Sequence, residues 1–542
     1  MTAAVWGRRF MQGSRKAAAG AALVLSLCLC GCLPNARLLS IEEQRPIDRS
    51  FVEFPSGFQF RRYVTDLTAP TAFAFDADGS LIVAMGERGE EARIIGFRTD
   101  GTPFAVYPQN NQPLLSLINP GGWHMYGPVG GMVCYQGKVF VSHRDANDMG
   151  VISALDYRGH HTTLVGNLPA QGDYGVTDLA ISPTNGRLYF GVATATNSGV
   201  VGLDNWEVGW VRDHPQVHDE PWEDLALLGY RFDSPNPLAG LFGPSDLAVT
   251  APYQPFNQSN QTRVRGVAGP DGSHKPNGAI YWVSPDGGYA TVEANGIHNP
   301  RGIAINEFGR VYFTNDGMEM RGTRPVKDDP DALLRLVPGA WYGWPDYTAD
   351  LQPVSAPAYQ PPAELLTPSG YPELRFVIDQ ESSHLISPNR DTLLQAAFSS
   401  LSGAARIDIV PASGPFKEFR GNVIVAMSGD RAPFATSGRA LVETVGYKIV
   451  RVDPDMHQVK EFIRNTAGKP RSRAPGGSIS LLERPIDVKF GPDGSLYVLD
   501  FGEMEMRDGR EHVTPGSGQI FRLVPVTQTP ATPANRAGVE ER

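Results

Sequence analysis

The sequence predicts an all-β fold, a six-bladed β-propeller carrying long inter-blade insertions. Two observations predict it. A hairpin pattern recurs six times: a turn, a strand, a Gly-containing reversal, and a second strand ending in aromatic or β-branched residues. Helical periodicity is scarce between the copies, so the repeats read as blades around a common axis rather than as strands of an α/β sheet.

The chain opens with Arg8, Arg9, Arg15 and Lys16 ahead of an apolar run from Ala17 to Leu29, the layout of a secretory signal. That run is short for a membrane-spanning helix, which needs roughly 20 residues. It ends in Leu29-Cys30-Gly31-Cys32, which resembles the lipobox of bacterial lipoproteins. The resemblance implies cleavage before Cys32, acylation of its sulfur, and a periplasm-facing chain anchored to the cell envelope by lipid. Residues 1–31 are thus expected as a lipoprotein signal peptide and 32–54 as a lipidated tether. Of the four cysteines only Cys134 then remains free in the mature chain, so no internal disulfide is available and the core must hold the fold. Losing residues 1–31 removes four positive charges and no negative ones, which takes the formal charge from −10 to −14. Such an acidic chain is a poor nucleic-acid binder.

The propeller is expected over 55–525. Its hairpins lie at Ala69–Ala84, Pro128–Ser142, Val176–Phe190, His298–Thr314, near Phe419–Val425 in degenerate form, and at Arg484–Val498. Residues 204–275 form much of a first insertion, whose Trp206, Trp210, Trp222, His214 and His218 read as local packing of a long loop. A second insertion, about 346–415, starts Pro-rich and reads as extended surface loop. Residues 526–542, rich in Pro, Thr and Ala, are expected as a disordered tail.

In a propeller, residues just before an inner strand and just after its partner meet around the axis. Those positions hold Glu87-Arg88, His143-Arg144, Asp173 and Asp178, His298, Asn299 and Arg301, Asn315 to Glu319, Arg484 and Asp487, and Asp500 to Glu505. Met504-Glu505-Met506-Arg507 repeats the Met-Glu-Met-Arg of residues 318–321. Mixed cations and carboxylates around one channel suit an anionic ligand, a metal ion, or both. Any single one of them also suits an inter-blade salt bridge.

His298–Gly302, Asp328–Leu333 with Tyr342–Pro345, and Arg484–Gly494 resemble the motifs of the glucose/sorbosone dehydrogenases, the soluble quinoprotein glucose dehydrogenase family. The resemblance runs over most of the chain after about residue 55. It implies a six-bladed propeller that holds pyrroloquinoline quinone (PQQ) with calcium beside it and oxidises an aldose or similar sugar. It further implies that Asn299 hydrogen-bonds the quinone and that Arg484 pairs with a cofactor carboxylate. The carbonyls of Gly317 and Met318 would face calcium, and Asp331 with the Tyr342 carbonyl would serve a second, structural calcium. Three departures stand out. The family's catalytic histidine is missing from Gly172-Asp173-Tyr174-Gly175, and two cofactor arginines are His298 and Ile486 here. Arg301 and Arg431 are candidates to replace the lost charge, and His298 is a candidate relocated base, an imidazole suiting that task. Two other readings stay open: a silent propeller binding a glycan or protein, and a calcium-dependent lactonase-like hydrolase using Asn299, Asn315, Asp316 and Asp487 as side-chain ligands.

Overall fold

A computed structural model describes residues 35–108, 123–237, 246–266, 275–366, 371–507 and 509–526. Six antiparallel sheets of four or five strands form the blades of a propeller. Their innermost strands, in order, are Pro70–Phe75, Tyr126–Tyr135, Val176–Ile181, Gly302–Ile305, Ala404–Ile409 and Pro485–Phe490. The second strands are buried on both faces because neighbouring blades cover both sides. This is why Leu81–Met85 and Val423–Met427 read as unbroken apolar runs, Leu-Ile-Val-Ala-Met and Val-Ile-Val-Ala-Met, with every residue buried.

Blade 6 closes the ring by combining both ends of the chain. Gly518–Pro525 pairs with Leu496–Asp500 on one side and with the N-terminal Phe58–Leu67 on the other. Phe60 and Phe521 stack across that seam with ring centroids 4.9 Å apart. The segment expected as a tether contributes as well, which corrects the boundary at 54. Arg37–Leu38 adds an edge strand to blade 6, and Val52–Glu53 adds one to blade 5. Ile47, Val52 and Phe54 are buried in the core between those blades. Cys32, the signal segment and residues 527–542 of the expected tail lie outside the described residues.

The second insertion is also corrected. Residues 346–351 are buried, Leu394–Ser400 is the outer strand of blade 4, and Ala404–Ile409 is the inner strand of blade 5. The degenerate fifth hairpin near Val423–Val425 is therefore the second strand of its blade. Its inner partner was hidden because Arg406 and Asp408 interrupt the apolar pattern.

Those interruptions hold the ring together. Asp178 accepts the Ile303 N–H at 3.0 Å, Asp408 accepts that of Phe490 at 2.7 Å, and Asp487 that of Phe73 at 3.5 Å, each reaching the next blade's inner strand. Arg406 crosses the axis from blade 5 to donate to the carbonyls of Thr71 in blade 1 and Gly130 in blade 2. Its Nε lies 3.5 Å from Asp178, and Lys489 lies 3.6 Å from Asp487. Blades 2 and 3 approach closely enough that a Cβ on Gly130 would stand 2.1 Å from the Val176 carbonyl oxygen, so only glycine fits there.

Candidate functional site

Above this axial layer the channel widens into a cavity of about 960 Å³, at the upper end of the ~300–1,000 Å³ typical of small-molecule sites. Asn299, Arg301, Asp316, Gly317, Asp331, Arg431 and Arg484 all line it, as do Glu87, Arg88, Arg144, Asp173 and Glu319, so most of the positions singled out in the sequence converge. Arg406 and Thr71 border it from the axial layer. Asp178 and Asp487 do not line it; they serve the inter-blade contacts below.

Arg484 precedes the inner strand of blade 6 and is held there by Asp500, which accepts the backbone N–H groups of both Glu483 and Arg484 at 2.6 and 3.0 Å. Its guanidinium donates to the Ser428 carbonyl at 3.1 Å and to the Tyr447 hydroxyl at 3.3 Å, while its Nε is buried without a partner. It is 6% exposed, and among the described residues no carboxylate forms an ion pair with it. A buried cation without a counter-ion is costly unless a bound anion supplies one.

The loop after the second strand of blade 4 makes the adjoining wall, which meets Arg484 at Ser428. Asn315 accepts the Asn299 N–H at 2.9 Å, and the Asn299 amide donates to Asp316 at 3.0 Å. Arg301 sits 3.5 Å from the same carboxylate and donates to Ser428 at 3.3 Å. The other Asp316 oxygen, Oδ1, is buried without a partner. Burial pushes this carboxyl up to about 7, although Arg301 opposes the rise. Asn299, Asn315 and Asp316 are thus bonded to one another, and Asp487 lies in the layer beneath; the four do not converge as a ligand set.

His298 is placed differently from the sequence expectation. It is 2% exposed and does not line the cavity. Its Nδ1–H donates to the Asp316 carbonyl at 2.9 Å, leaving Nε2 buried without a partner. Its ring packs edge-on to Tyr174 at 5.0 Å and parallel to Trp344 at 6.3 Å. Burial brings its pKa down to about 4. Tyr174, not His298, forms the wall.

Next to Tyr174 lies a cluster that joins Asp173, Glu319 and Arg321, all at rim positions noted in the sequence, to Asp204, which the sequence did not single out. Arg321 pairs with Asp173 at 2.7 Å, with Asp204 at 2.5 Å and with Glu319 at 2.5 Å, all four side chains being under a tenth exposed. Asp173 also accepts from Trp210 at 2.6 Å and from Asn205 at 3.0 Å, which docks the first insertion against the cavity. Arg431 reaches the remaining Glu319 oxygen at 2.7 Å. Burial alone would raise the Glu319 carboxyl, but Arg431 and Arg321 hold it down to about 2. The repeated Met-Glu-Met-Arg was the signal for this segment; its pairing across blades left none.

The donor set can be compared with the groups that the family resemblance implies. A tricarboxylate quinone needs cations and a roomy pocket; Arg484 offers a guanidinium without a carboxylate partner, and Arg301 and Arg431 line the same cavity while paired with Asp316 and Glu319. The backbone N–H groups of Gly317 and Met318 turn toward Asp331 and Asp329, at 2.9 and 2.7 Å, and no hydrogen bond from a described residue reaches their carbonyls. Gly317 lines the cavity, and its carbonyl suits a hard cation; Met318 packs in an apolar cluster and does not line the cavity. The second expected calcium fits poorly. Both Asp331 oxygens already accept hydrogen bonds, from Gly317, Ser402 and Ala404. The Tyr342 ring packs in the apolar core with its hydroxyl bonded to the Arg335 carbonyl at 2.6 Å, so only its backbone carbonyl, which no hydrogen bond from a described residue reaches, is left to serve a cation. Among the described residues no group of three or more His, Cys, Asp or Glu side chains is arranged to hold a metal.

No family model and no curated protein matches the chain. Solved structures similar to it include the holo PQQ domain of pyranose dehydrogenase from Coprinopsis cinerea, at 13% identity over 88% of this chain and 98% of that one, TM-score 0.48. Another is the PQQ-bound aldose sugar dehydrogenase of Streptomyces coelicolor, at 14% identity over 87% and 99%, TM-score 0.43. A third is a gluconolactonase from Xanthomonas campestris, at 12% identity over 91% and 95%, TM-score 0.38.

Proposed function

We propose that this chain is an oxidoreductase that oxidises an aldose or similar sugar alcohol or lactol with PQQ and calcium held in the axial cavity. The observation that carries the reading is Arg484, a buried guanidinium in the cavity wall without a carboxylate partner. Arg484, Arg301 and Arg431 would bind the carboxylates, Asn299 would orient the ring system, and the Gly317 carbonyl would face calcium. When bound, the quinone supplies a two-electron acceptor for hydride from a sugar carbon. The protein's part is to position the sugar hydroxyl, keep water out and take its proton. Within the wall, Asp316, the carboxylate beside Asn299 and Arg301, would take that proton. His298 is screened from the cavity by Tyr174 and is not used. We also propose that the mature chain is lipid-anchored through Cys32 and faces the periplasm, on the strength of its N-terminal sequence.

The test is reconstitution of the full chain with PQQ and calcium, followed by a panel of aldoses with an artificial dye as electron acceptor. Dye reduction that requires PQQ, calcium and a sugar together is expected. PQQ binding without turnover on any sugar would leave a ligand-binding propeller in place of an enzyme.

A further inference from the structure

Two insertions from opposite blades meet above the cavity. Each occupies the connection between the second and third strands of its blade, which opens toward the cavity. In blade 3 it carries the short helices Leu203–Val208 and Trp210–Asp213; in blade 6 it is the strand pair Met504–Arg507 and Arg510–Val513. Where they touch, backbone packs on backbone. A Cβ on Gly509 would stand 2.9 Å from the Glu207 carbonyl carbon, and one on Gly209 would stand 3.1 Å from the Arg510 guanidinium. Both glycines have positive φ, +71° and +111°, so a side chain at either is excluded twice over.

Both arms are fastened at their roots. Trp210 and Asn205 bond Asp173, and Asp204 pairs with Arg321. On the other side Glu503 pairs with Arg471 at 3.2 Å, and its N–H donates to the Ser517 hydroxyl at 2.9 Å. Blades 3 and 6 stand opposite each other in a six-membered ring, so the joined arms span the mouth along a diameter. Trp210, Met504, Met506 and Arg510 line the cavity beneath them. Away from the arms, whose own Asp213, Arg510, Glu511 and His512 are exposed, the exposed cavity-lining residues are Arg88, Gly89 and Ala146 of blades 1 and 2, which places the entrance on that flank.

We infer that the joined arms are a size filter, which admits a small soluble sugar from the flank of blades 1 and 2 and excludes the interior of a glycan chain. The substrate class named here rests on the proposed function; the filter itself does not. It is tested on the full chain without any cofactor. Ser428→Cys places a thiol on the cavity wall beneath the arms, and labelling of that thiol is located by peptide mapping. Iodoacetamide is expected to reach it and a polymer-linked maleimide is not. Replacing residues 504–513 by two glycines should let the polymer-linked reagent react, and Gly509→Glu, which leaves the arm in place but breaks the contact, should do so in part. Labelling by the large reagent in the intact protein would overturn the filter, as would its continued exclusion from both opened variants. With PQQ and calcium, the opened variants should gain on an oligosaccharide relative to its monosaccharide. If size exclusion behaves as stated but no variant oxidises any sugar, the dehydrogenase reading fails and the filter stands.

Discussion

Arg321 and Arg484 are both buried at the mouth of the same channel, and their surroundings differ completely. Arg321 has three carboxylates within 2.7 Å, drawn from two blades and an insertion. Arg484 has a carbonyl, a phenol and an unsatisfied Nε. The first is a closed electrostatic unit that ties the insertion to the propeller. The second is an incomplete unit, and what completes it is an anion from outside. Burial solved a third way is seen at His143, fully buried in blade 2 between the Arg144 carbonyl at 2.8 Å and the Ser153 hydroxyl at 2.9 Å. It gives up its charge, burial bringing its pKa down to about 4.

The contrast can be broken at each point. Arg321→Ala should have the largest effect, a loss of about 3–5 kcal/mol, because buried Asp173 and Asp204 lose their cation and Glu319 is left with Arg431 alone. Chemical denaturation measures it, and proteolysis within residues 203–213 should rise with it. Arg484→Ala should leave stability close to wild type but weaken PQQ binding roughly 30- to 1,000-fold, about 2–4 kcal/mol. If the two variants lose stability equally, the distinction between them is wrong.

His143 sharpens the comparison through pH. Its folded pKa lies below the ordinary 6.5, so the unfolded chain takes up the proton first as pH falls. Stability should therefore decline between pH 6.5 and about 4 and level off below, with at most about 3–4 kcal/mol from this residue. His298 shifts in the same direction, so His143→Gln should flatten the denaturation midpoint against pH without abolishing its slope. The smallest effect is expected from Ile486→Arg, which adds a cation to the cavity wall where the family resemblance places one. PQQ affinity should rise by about 1 kcal/mol, roughly fivefold, as calorimetry would show.

Much of this was legible in the sequence, for local reasons. Blades 1, 4 and 6 announce themselves through apolar strands joined at Asp78-Gly79, Phe308-Gly309 and Asp493-Gly494. Asn299, Arg301 and Arg484 were found because residues abutting an inner strand must face the mouth. What stayed hidden depends on distance along the chain. Arg321 meets Asp204 from 117 residues away, and no spacing encodes that pairing. The blade 5 inner strand was missed because Arg406 and Asp408 point at the axis, where charge is paired across blades. His298 was misjudged for the same reason: position beside a strand does not reveal that Tyr174 covers it.

The measurement that bears most directly on the central claim is calorimetric titration of PQQ, with calcium, into the wild-type chain and the Arg484→Ala variant side by side. One-to-one, calcium-dependent binding to the wild type is expected, with a sharp loss of affinity in a variant that melts normally. No binding to the wild type at tens of micromolar PQQ, or equal affinity in the two proteins, would contradict it.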